Sequence, residues 1–175
     1  MRRLAVFLIA LTLTAGCDSD TNNTATGPST TGPIVFTAQL LASNEVPAIT
    51  NAESGARGTV TITFDVPRDS LGNPTGGGTA TFAMQLTNFA PGTPAILAHI
   101  HTGSSTVAGP VFVDTPLRPT APLLMGDGTA SVALTLVTLT QAQATQVVNN
   151  PAGHYFNVHT PLNPGGAVRG QLVRQ

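Results

Sequence analysis

Histidine is the residue type in this sequence best suited to chemistry, and three of its four copies fall at an informative spacing. His99 and His101 stand two apart in Ala98-His99-Ile100-His101, inside an alternating stretch that reads as a strand. On a strand the side chains at i and i+2 leave the same face roughly 7 Å apart, so two imidazoles can converge on one metal ion or line one polar pocket. His159 ends another strand-like stretch and shares a face with Tyr155 and Asn157, whereas His154 has the opposite parity. The expected site is therefore His99, His101 and His159, flanked by Tyr155 and Asn157, and such ligands suit copper or zinc. The competing reading has each ring hydrogen-bonded separately, with no metal. Asp114 and Asp127 are the acids available as a fourth ligand, although neither stands at a matching spacing.

Other chemistries lack their motifs. There is no Gly-x-Ser-x-Gly elbow for a serine nucleophile. Gly76-Gly77-Gly78 has neither the lysine nor the following helix of a phosphate-binding loop, and reads as a flexible connection. No pair of carboxylates is singled out for acid–base work. Seven arginines, no lysine and eight acids give a net charge of −1, which cannot build the basic patch that nucleic acid requires.

The elements that must position the histidines are strands. Phe36, Ala38 and Leu40 share one face of a first strand, and Val60, Ile62, Phe64 and Val66 share one face of a second, with Thr59, Thr61, Thr63 and Asp65 outward. A turn-rich segment, 67–78, leads to a third strand with Ala80, Phe82, Met84 and Leu86 inward, so the second and third strands are expected to pair as a hairpin. Further strands are expected at 96–101, 111–114, 128–136, 155–159 and 167–173. Thr140 and Gln143 form a capping box for one helix over 141–149, which Pro151-Ala152-Gly153 ends. The predicted fold is all-β: an antiparallel Greek-key sandwich or barrel of about eight strands with one short helix.

The N-terminus reads as an export signal. Arg2 and Arg3 precede an apolar run from Leu4 to Leu13 that is about half the ~20 residues a membrane-spanning helix needs. Ala15-Gly16-Cys17 resembles a bacterial lipobox, which implies a signal peptide over 1–17, lipidation at Cys17 and a membrane partner reached through that anchor. The polar stretch 18–33, rich in Thr, Asn, Ser and Gly, reads as a tether to a folded domain over 34–175. The expected location is the cell envelope, with the domain facing the periplasm or the exterior. Cys17 is the sole cysteine, so the fold must hold without a disulfide.

Four segments in order carry a family resemblance. Asn44-Glu45-Val46-Pro47, Ser54-Gly55-Ala56-Arg57-Gly58, Ala98-His99-Ile100-His101-Thr102-Gly103, and Tyr155-Phe156-Asn157-Val158-His159-Thr160 with Gly166-Ala167-Val168-Arg169-Gly170-Gln171-Leu172 together resemble the CHRD domain over roughly 35–173. That resemblance implies a non-catalytic binding or structural module outside the cytoplasm, of unassigned ligand. A more distant likeness is to copper/zinc superoxide dismutases, carried by Asn88-Phe89-Ala90-Pro91-Gly92 and the His99-Ile100-His101 pair. It implies a copper-binding or dismutase-like alternative, with His159 as a further ligand and Arg169 beside the metal. The disulfide cysteines and zinc loop of those enzymes are absent. Arg169 read on its own is a strand-end arginine that pairs with a carboxylate or caps backbone carbonyls.

Overall fold

Alternation of apolar and polar residues builds three long neighbouring strands, β1 (Ile34–Leu41), β2 (Arg57–Asp65) and β3 (Gly78–Thr87). The structure, a computed structural model, describes residues 32–175. The segment expected to be a signal, Cys17, and the expected tether up to residue 31 lie outside the described residues. Phe36 pairs with Ile62 and Ile62 with Phe82, so the inward faces predicted for all three strands meet in one core. Phe36 meets Phe64 edge-on at 5.1 Å between ring centroids, and Phe82 stacks on Phe156 at 5.6 Å. Aromatic pairs in these geometries add to the burial of their area.

The remaining strands are β4 (Thr93–Ala95), β5 (Leu97–Thr102), β6 (Val111–Asp114), β7 (Leu123–Met125), β8 (Ala130–Leu139), β9 (His154–His159), β10 (Val168–Gln171) and β11 (Val173–Arg174). The main sheet runs β6-β5-β9-β10-β1-β2-β3-β8, with β11 also on β1, and every pairing is antiparallel. It curls into a nearly closed barrel. β5 and β6 form a hairpin, and the chain then passes through β8 before β9 returns beside β5, a Greek-key crossover. β4 and β7 make a separate two-stranded ladder.

The one α-helix among the described residues, α1 (Gln141–Asn149), starts at the predicted capping box: the Gln143 N–H donates to Thr140 Oγ1 and the Thr140 N–H to Gln143 Oε1. Its Ala144, Val147 and Val148 are buried, and Gln143 Nε2 donates to the Phe112 carbonyl, tying the helix to β6. Among the described residues no helix is long and apolar enough to cross a membrane.

The short strands β4 and β7 were not expected, most other boundaries shift by a residue or two, and two departures have a visible cause. β8 continues past Leu136 to Leu139, because a bulge opposite Ala80–Phe82 inserts one residue and places Leu136 at φ 56°. The buried parity therefore switches, from partly buried Ala130, Val132 and Leu134 to buried Val137 and Leu139, and strict alternation breaks at that point. The expected strand over 167–173 divides at buried Leu172, whose N–H donates to the His154 carbonyl; β10 and β11 share one register on β1, but only β10 also pairs with β9.

Candidate metal centre

In β5, Ala98 and Ile100 face the core, as do Phe156 and Val158 in β9 and Val168 in β10. The alternate residues therefore leave the outer face of the barrel: His99 and His101, then Tyr155, Asn157 and His159, then Arg169 and Gln171. An outer face would ordinarily be wet. Here His99, His101 and His159 are only 5–7 % exposed, because the loops after β1, β5 and β9 fold over them.

Those loops also orient the rings. His101 Nδ1 lies 2.9 Å from the Gly109 carbonyl, and His159 Nδ1 lies 2.9 Å from the Pro164 carbonyl. A side chain at Gly109 would collide with the Thr102 carbonyl, so glycine lets the loop come close enough to reach His101. The Pro164 loop is fastened from below: buried Glu53 accepts hydrogen bonds from Thr160 Oγ1 at 2.7 Å and from Asn163 Nδ2. His99 is held differently, by Asp114 Oδ1 at 3.1 Å from its Nε2. Arg118 in turn grips Asp114, with Nη2 2.6 Å from Oδ2.

A carbonyl can only accept, so Nδ1 carries the proton in both His101 and His159, which leaves each Nε2 with a bare lone pair. An ionised Asp114 likewise fixes the proton of neutral His99 on Nε2 and leaves Nδ1 bare. Burial, and then His159 beside it, push the His99 pKa down to about 4, against the pull of Asp114; burial also lowers His101 and His159. All three rings are therefore neutral at pH 7. The consequence is that His99 Nδ1 and His159 Nε2 meet lone pair to lone pair at 3.2 Å. His101 Nε2 is buried without a hydrogen-bond partner, and so is the acceptor Asn157 Oδ1. A proton or a metal ion between opposed acceptors of this kind would satisfy both.

The geometry fits a metal. One nitrogen from each ring comes within 4.8 Å of the other two. Two imidazoles on one ion at ~2.0–2.1 Å stand about 3.3 Å apart in a tetrahedral site and about 4 Å when opposed. The His99–His159 pair already has tetrahedral spacing, and bringing a gap of 4.8 Å to the same spacing takes a movement of about 1.5 Å. The three predicted histidines are thus brought together.

The flanking residues divide by role. Tyr155 stacks on His101 at 4.9 Å, and the Arg169 guanidinium lies 3.5 Å from the Tyr155 ring centroid. Arg169 is fully buried, and its Nη2 donates to the Ser104 and Val107 carbonyls at 2.6 and 3.1 Å, which is carbonyl capping rather than exposure to an open approach. Asn157 lies between His101 and Glu45. Glu45 does not serve loop amides as an exposed loop acid would. Its carboxyl turns inward over Gly166, where φ is 135° and any Cβ would stand 2.6 Å from Glu45 Oε1. Burial pushes the Glu45 pKa up to about 7, against the opposing pull of Arg169 and Asn157.

Two candidates fall elsewhere. His154 points its Nδ1 at the Asn150 carbonyl, 2.9 Å away, and sets its ring against Phe112. Asp127 caps the turn before β8 by accepting from Thr129. Asp114 could not be placed from spacing, because the pairing His99↔Asp114 depends on a hairpin with an irregular register at Ile100/His101. If the carboxylate sets the His99 tautomer, Asp114→Asn should weaken metal binding by about 10–100-fold, read by calorimetric titration, while leaving the melting temperature close to wild type.

Fold and site together define a class: a small antiparallel β-barrel with a buried three-histidine cluster on its outer wall. The family model for the CHRD domain matches residues 36–172, and the chain belongs to that family. No match to a curated protein was found.

Proposed function

We propose that this protein is an exported, lipid-anchored CHRD domain that works as a non-catalytic metal-binding module, holding copper or zinc through His99, His101 and His159. The observation that carries the reading is the convergence of three neutral imidazoles whose bare nitrogens face one another rather than donors. The bound ion would satisfy those lone pairs and fasten three loops to the sheet. The dismutase-like alternative has less support, since Arg169 is committed to backbone carbonyls.

The test is a copper and zinc titration of the full chain in detergent across pH. Protons compete with metal for the same nitrogens. Free histidine would lose metal through about pH 6.5. Here the folded-state pKa values are depressed, so binding should hold below that point and collapse toward pH 4, the value for His99. The same sign governs the metal-free fold: stability is complete above the unfolded histidine value and is lost as the pH falls toward the folded one. Affinity weaker than micromolar at pH 7.5 would remove the proposal.

Anchoring rests on Ala15-Gly16-Cys17 and the apolar run before it. Cys17→Ser should release the protein from the membrane fraction or leave the precursor unprocessed, as judged by fractionation and mass spectrometry. A mutant that fractionates and matures like wild type would show that Cys17 carries no anchor.

A further inference from the structure

We infer that the three-histidine centre selects a monovalent ion, copper(I), over divalent zinc or copper(II). This rests on the reading of His99, His101 and His159 as metal ligands and adds which charge state they favour.

The first ground is the charge of the donors. The cluster supplies three neutral imidazoles, and among the described residues no carboxylate joins them. Asp114 is the nearest acid, but it faces the far nitrogen of His99 and is already paired with Arg118. No anionic ligand therefore offsets a second positive charge.

The second ground is a buried cation close by. Arg169 keeps its charge at any working pH and lies against Tyr155, whose ring stacks on His101. The guanidinium and the His101 ring thus lie on one stack with Tyr155, and the field of the guanidinium opposes added positive charge there. Coulomb repulsion is linear in charge, so the same field acts twice as strongly on a dication as on a monocation. Glu45 also faces Arg169, but with its pKa near 7 it offsets that charge only in part at neutral pH.

The third ground is burial. The cost of stripping water from an ion grows with the square of its charge, which makes a dication about four times as costly as a monocation of equal size. Zinc sites are almost always four-coordinate and copper(II) prefers a tetragonal arrangement. Copper(I), with a single charge to balance, is satisfied by three neutral nitrogen donors.

The experiment uses the full chain in detergent under anaerobic conditions at pH 7.5. Copper(I) affinity is read by competition with a chromophoric copper(I) chelator, and zinc, the redox-inert divalent probe, by competition with a zinc chelator. The expected Kd for copper(I) is at least 100-fold below that for zinc, and Arg169→Gln should narrow the gap at least tenfold. Should that variant fail to fold, Arg118→Gln, which unmasks Asp114 from a half-exposed position, should narrow the gap in the same direction. Independently, a 100-fold preference for copper(I) over copper(II) raises the reduction potential of bound copper by about 120 mV over the unbound couple, at 59 mV per tenfold. Zinc binding as tight as copper(I), or a potential at or below that of the unbound couple, overturns the selectivity and leaves the three-histidine site standing. Failure of both metals to bind below micromolar concentration overturns the site itself and the inference with it.

Discussion

His99→Ala and His159→Ala should each lower metal affinity by on the order of 10²–10³-fold, because each removes one of three donors and opens a buried position to water. Loss of an outer-sphere partner alone typically costs 10–100-fold, so losing a ligand should exceed it. At 1.4 kcal/mol per factor of ten, the expected effect is about 3–4 kcal/mol of binding free energy. His154→Ala supplies the contrast, since that ring sits against Phe112 and the Asn150 carbonyl and should leave affinity unchanged. The metal-free forms of the two ligand variants should stay folded and lose only about 0.5–1.5 kcal/mol each, the net worth of the His159–Pro164 hydrogen bond or the His99–Asp114 contact that goes with the ring. Calorimetric titration together with thermal melts distinguishes a lost ligand from a lost fold. An unchanged affinity in either variant would contradict its place in the site.

Phe82→Ala is the substitution expected to damage the fold most. Phe82 is fully buried, pairs with Ile62 across the sheet and stacks on Phe156, the residue that backs the site strand β9. Truncating a buried phenylalanine leaves a cavity and costs about 3–5 kcal/mol. Thr61→Ala, on the exposed face of β2, should stay within about 0.5 kcal/mol. Chemical denaturation reads both. Comparable losses at the two positions would mean that the core lies on the other face of the sheet.

The site was legible where it depends on strand parity and hidden where it depends on loops. The i, i+2 spacing of His99 and His101, and the shared parity of Tyr155, Asn157 and His159, required only that two segments be strands. The core faces of β1, β2 and β3 were readable for the same reason, as was α1, whose capping box is a local signal. Asp114 was not, because the hairpin that sets it against His99 has an irregular register. Nor were the Gly109 and Pro164 carbonyls, since a backbone oxygen leaves no mark in a sequence. Glu45 stands in a loop more than a hundred residues before Asn157, and only the β1-β10-β9 pairing brings the two together. The end of β8 was obscured by a bulge, and the break between β10 and β11 by the loss of β9 as a second neighbour, which no local pattern records. Arg169 shows the limit of analogy: the dismutase likeness suggests a residue beside an open metal, whereas its carbonyl bonds fit the plainer strand-end role.

The most direct test of the account is X-ray absorption at the metal edge, on the full chain loaded with one equivalent of copper or zinc. The spectrum should show three histidine nitrogens at ~2.0–2.1 Å that fall to two in His99→Ala. A spectrum without imidazole scattering, or one unchanged by His99→Ala, would contradict it.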